Sequence, residues 1–116
     1  IQLRSQRVPG SREMAGYQAD IATGYWGGLY DESRRATFLG KAPDPAAIAA
    51  IVKPDGWNDY LIQCKGPRIT LSLNGRTTVD FTETDPAIPR TGHIALQIHA
   101  GPPSEVWYKD IEIDEG

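Results

Sequence analysis

Three stretches of the chain set hydrogen-bonding side chains at alternate positions: Gln2, Arg4 and Gln6; Gln18 and Asp20; Gln97 and His99. In an extended chain alternate residues share a face, so each stretch turns a polar side away from its apolar one. Gathered on one sheet, these groups would supply an imidazole or carboxylate to accept a proton and a guanidinium to hold a carbonyl oxygen. The amides would reach sugar hydroxyls. The same pattern also describes a solvated outer sheet face, and periodicity alone does not separate the two.

Other residues carry weaker chemical signals. His99 ends its stretch beside Gly101-Pro102-Pro103, at a rim where loops meet, and His93 reads as ordinary surface. The two histidines lack the helical spacing of a zinc site. Tyr25 and Trp26 lie between Gly24 and Gly27-Gly28, where an aromatic ring can stack on a pyranose or fold back on the core. Trp57 and Trp107 read as packing or rim residues. Asp31 and Glu32 are adjacent, point to opposite sides of an extended segment, and make a poor acid–base pair. Nucleophile elbow, phosphate loop and dinucleotide fingerprint are all absent. The single cysteine, Cys64, excludes an internal disulfide and reads as a buried structural thiol.

The elements that must position these groups are short strands. Alternation predicts strands over 1–7, 16–22 and 58–65, with shorter ones at 29–31 and 36–39. In the first, Ile1, Leu3 and Ser5 are expected on one face; in the second, Tyr17, Ala19 and Ile21. Ile69, Leu71 and Leu73 alternate strictly. Asn74-Gly75 then signals a type I′ hairpin, and Thr77, Val79 and Phe81 return on one face. Over 92–100 the pattern turns Ile94, Leu96 and Ile98 inward. Over 105–114, Val106, Tyr108, Ile111 and Ile113 change phase at Asp110, which predicts a bulge. One helix is expected between Pro43 and Pro54, with Asp44 as cap, Pro45 in the first turn, and Ile48, Ile51 and Val52 on one face.

A chain of 116 residues holds one domain, and 21 Gly plus Pro suit many short strands. Without crossover helices the strands must be antiparallel. The expected fold is therefore an all-β, two-sheet sandwich of jelly-roll type with at most one short helix. The net charge of −3 argues against nucleic acid, which requires a concentrated basic surface. Nor does any apolar run suffice to span a membrane.

Several motifs, taken in order, resemble the 3-keto-disaccharide hydrolase family. They are Ile1-Gln2-Leu3-Arg4-Ser5, Gly16-Tyr17-Gln18-Ala19-Asp20-Ile21, Gly28-Leu29-Tyr30 and the run from Lys53 to Tyr60. The later stretches Ile69 to Gly75, Val79 to Asp85, Gly92 to His99 and Val106 to Ile111 match it in the same order. The resemblance implies a concanavalin-like sandwich in a secreted or periplasmic bacterial protein that acts on oxidised disaccharides or glucosides. Family members carry further strands before the one holding Arg4, so residues 1–116 are expected to be the C-terminal two-thirds of a larger domain.

A ketone at C3 of a sugar acidifies the C2 hydrogen. Elimination can then expel the glycosidic oxygen from C1, and water adds back. His99 or Asp20 is the expected base, with Arg4 on the carbonyl or enolate oxygen and Gln18, Gln97, Trp26 and Tyr30 as substrate contacts. A divalent cation is compatible with this chemistry, although no ligand set for one stands out. The alternative is a carbohydrate-binding module of the same fold without catalysis.

Overall fold

The computed structural model describes all 116 residues, and its elements follow the alternation closely over the first 82. Strands β1 (Gln2–Arg7), β2 (Met14–Ala19), β3 (Leu29–Glu32) and β4 (Phe38–Gly40) precede helix α1 (Pro45–Ile51). Strands β5 (Tyr60–Lys65), β6 (Arg68–Leu73), β7 (Arg76–Thr82) and β8 (His93–Ala95) follow. The helix starts where the sequence places it: the Asp44 side chain accepts from the Ala47 amide at 3.1 Å, and Pro45 occupies the first turn. Asn74 and Gly75 take φ of 50° and 83°, the left-handed values that join β6 to β7 in a two-residue turn.

Two antiparallel sheets result, one in the order β4-β3-β2-β1-β8 and the other β5-β6-β7. Leu3, Tyr17, Ala19 and Leu29 of the first sheet meet Ile69, Leu71 and Val79 of the second in a single core. Full burial of a leucine or isoleucine in such a layer stabilises the fold by about 1.5–3 kcal/mol. Polar contacts also cross between the sheets. Tyr17 Oη donates to Glu83 at 2.7 Å, Tyr60 Oη to the Asp20 carbonyl at 3.2 Å, and Thr78 Oγ1 to the Gly27 carbonyl at 2.7 Å.

Two bulges shift the expected faces. β1 slips register against β2 between Leu3 and Gln6, with Arg4 at φ 47°. The added residue moves Ser5 off the face of Leu3 and onto that of Gln2, whose Oε1 accepts from Ser5 Oγ at 2.9 Å. β7 slips against β6 between Leu71 and Ser72, so Thr78 rather than Thr77 is buried beside Val79.

The C-terminal fifth departs most from expectation. β8 ends at Ala95, and residues 105–114 form no strand, so the left-handed φ at Asp110 is not a ladder bulge. Ile94, Leu96 and Ile98 are exposed rather than inward, as are Ile111 and Ile113. The reason lies in the topology. β4 packs over β7, where a Cβ on Gly40 would press on Val79, which leaves β8 as an uncovered edge at the opposite flank. The core-facing Tyr60, Ile62 and Cys64 of edge strand β5 are accordingly only half-buried, Cys64 included. The accessible surface is 8030 Å². A folded monomer of 12.7 kDa exposes about 6,200 Å².

Candidate functional site

On the outer face of the five-stranded sheet, register aligns one side chain from each strand. Gln2 is paired with Gln18 and with Ala95, Gln18 with Tyr30, and Tyr30 with Phe38. The polar members are bonded in series: Ser5 Oγ donates to Gln2 Oε1, Gln2 Nε2 to Gln18 Oε1 at 2.6 Å, and Gln18 Nε2 to Asp20 Oδ1 at 2.6 Å. Gln2 and Gln18 are buried although they lie on the outer face, so the chain fixes the Asp20 carboxylate in place. Burial raises the Asp20 pKa above the usual carboxylate value, only partly offset by the Gln18 hydrogen bond. The result is a carboxylate of increased basicity at the end of a satisfied hydrogen-bond line.

The aromatic half of the row continues into a cleft of about 410 Å³ between the 20–28 loop, β4 and α1. Tyr25 stacks on Phe38 with ring centroids 5.5 Å apart, and Tyr30 meets the same ring edge-on at 4.9 Å. Lys41 Nζ lies 4.5 Å from the Phe38 centroid. The loop holding Tyr25 and Trp26 is pinned at Gly27 (φ 75°), where an added Cβ would come within 2.5 Å of Thr78 Cγ2. Only glycine serves there.

A second polar cluster faces the interior. Asp31 is fully enclosed and binds both Arg34 and Arg35, and Arg35 also grips Glu83 at 2.6 Å. Burial acting alone would raise Asp31, but the two guanidinium hydrogen bonds outweigh it and lower its pKa. The Arg35 hydrogen bonds hold Glu83 at about 2, and burial with the Glu83 contact lifts Tyr17 to about 12. Every charge here has a partner, which marks the cluster as a structural clamp between the sheets. Sequence reasoning missed it because Asp31, Arg34, Arg35 and Glu83 come together only through the turn after β3.

The structure brings Gln18, Asp20 and Tyr30 together, with Trp26 on the adjoining cleft. Arg4 is elsewhere: its bulge sends the side chain toward the other sheet, where Nη1 donates to the Gly66 carbonyl at 2.7 Å. Gln97 is half-buried and lies beyond the end of β8, where its carbonyl accepts from Tyr108 Oη at 2.9 Å. His99 lies two residues farther along the irregular segment, exposed, with Nδ1 against the Ala100 carbonyl. No ion pair or hydrogen bond joins it to Arg4, Gln18 or Asp20. Gln2 belongs to the polar face expected from alternation, whereas Ser5 is expected on the face of Ile1 and Leu3. The bulge that gives Ser5 its place is invisible to strict alternation. No group of three or more His, Cys, Asp or Glu side chains is arranged to hold a metal ion. No helix is long and apolar enough to cross a membrane.

These features define a class first: an antiparallel β-sandwich whose wider sheet presents a hydrogen-bonded polar row beside an aromatic cleft. The particular family follows from the sequence, since the family described as 3-keto-alpha-glucoside-1,2-lyase-like domain matches residues 1–114. The chain belongs to that family. Neither a curated protein nor a solved structure matches it.

Proposed function

We propose that the protein cleaves 3-keto-glycosides, with Asp20 accepting the C2 proton. The observation that carries this is the Ser5–Gln2–Gln18–Asp20 line, which holds a partly buried carboxylate of raised pKa on the outer face in a chain of this family. Proton loss from C2 places an electron pair between C1 and C2 while the C1–O bond breaks. The departing oxygen takes a proton, and water then adds its hydroxyl to C1 and its hydrogen to C2. The ketone makes C2 acidic, so one base suffices and a second carboxylate is not required.

Asp20 is preferred to His99 as acceptor because Asp20 is partly buried and held by a neighbouring side chain, whereas His99 is exposed. Tyr30, opposite Gln18 in the register, and Gln97 serve as substrate contacts in this reading. Secretion or periplasmic placement belongs to the same proposal and is tested by fractionating the producing cell. Incubation with 3-keto-trehalose, following release of 3-keto-glucose, tests the activity. Binding of the sugar without release would favour the carbohydrate-binding module, a reading supported by the mutual satisfaction of the amide line.

A further inference from the structure

We infer that the cleft beside Asp20 is a subsite for an aromatic aglycone, so that the preferred glycosides carry an aryl group at C1 rather than a second sugar. This rests on the proposed function for the sugar end of the ligand. The cleft's volume of about 410 Å³ lies within the roughly 300–1,000 Å³ of small-molecule sites. Its walls are mostly apolar, built from Tyr25, Trp26, Phe38, Ile48 and the small alanines of α1. A hexose there would need partners for several hydroxyls, but among the lining side chains only Lys41, Tyr25 and Trp26 carry polar groups. A flat ring needs none, and gains from edge or offset contact with the Tyr25–Phe38 stack.

The Asp20 carboxylate and the aromatic wall of the cleft approach each other at Gly28. A Cβ there would lie 3.7 Å from Asp20 Oδ2, 3.5 Å from Phe38 Cε1 and 3.2 Å from the Tyr25 carbonyl. The bare backbone at this position therefore separates carboxylate from aromatic wall by a single residue's width. Gly28 itself is buried with these groups closed around it, so a glycoside whose C2 meets Asp20 would direct its C1 substituent past Gly28 toward Phe38. Tyr25 is half-exposed, so the cleft is open to solvent on that side.

The test is titration of the intact chain with phenyl α-glucoside and with methyl α-glucoside, both unoxidised, so that binding is read without turnover. The phenyl compound is expected to bind at least about tenfold tighter, in line with desolvating an extra apolar ring. Nuclear Overhauser contacts from its ring protons to the Ile48 methyls and to Phe38 are expected in the wild type, where no variant can misfold. Ala46→Trp, which fills the cleft from α1, should bring the two affinities within about twofold. Ala50→Trp, an exposed helix position outside the cleft, should leave the preference intact. Equal affinities in the wild type, no binding of either compound, or a preference that survives Ala46→Trp would each overturn the inference. Turnover of 3-keto-glycosides with equal phenyl and methyl binding removes the aryl subsite alone. An aryl preference without any turnover leaves the subsite standing and removes the catalytic proposal.

Discussion

At Asp20 the hydrogen-bond line and burial act in opposite directions on the same carboxylate, and burial wins. Asp20→Asn keeps the shape and the neighbouring amide but removes the proton acceptor. It should lower kcat/KM on a 3-keto-disaccharide by at least about a hundredfold, the usual scale for losing a general base, with the melting temperature unchanged or raised. A higher melting temperature is allowed because a partly buried carboxylate whose pKa is raised destabilises the fold while ionised. His99→Ala, at an exposed side chain outside the row, should cost less than about tenfold in the same assay. The reverse order of effects would move the base to His99. Gln18→Leu should weaken turnover with a disproportionate change in the pH profile, because it removes the donor that holds Asp20 ionised.

At the level of elements, the stability of the sandwich at low pH is tied to the turn after β3. Glu83, held at about 2 in the fold against 4.5 ordinarily, binds fewer protons folded than unfolded between those values. Its contribution is complete above about pH 4.5 and is lost as pH falls toward 2, and Asp31 acts in the same direction. Melting temperatures should therefore fall between about pH 6 and pH 3, and Glu83→Gln should flatten that fall. The 20–28 loop depends on one hydroxyl. Thr78→Val removes the donor to the Gly27 carbonyl and should cost about 1–3 kcal/mol in chemical denaturation, the range for leaving a buried polar group unpaired.

Across the whole molecule the two flanks differ in what they hold together. The β4–β7 side is closed around a buried core, whereas the β8–β5 side leaves apolar side chains in solvent. Leu71→Ala should cost about 2–5 kcal/mol, because it opens a cavity where Leu3, Tyr17 and Val79 gather. Leu96→Lys should change stability by less than about 0.5 kcal/mol, because that side chain is exposed and lies outside the core cluster. Both are read from denaturant midpoints. A large loss at Leu96 would mean that the open flank is covered in solution.

Local chemistry was enough to place most strands, the Asn74-Gly75 turn, the capped helix and the pairing of Gln18 with Asp20 on one face, because alternation, turn residues and caps act over a few neighbours. It also made Tyr25 and Trp26 a loop pair with two open fates. Only the tertiary structure decided between them, by stacking Tyr25 on Phe38 and pinning Gly27 to Thr78 on the other sheet. The same holds for Arg4, whose alternation is undone by a bulge set by pairing with β2, and for Ile94, Leu96 and Ile98. Their apolar face has inward periodicity, but burial requires a second layer opposite it. A strand's own residues determine which side chains share a face. Whether that face meets core, ligand or water depends on what packs across from it.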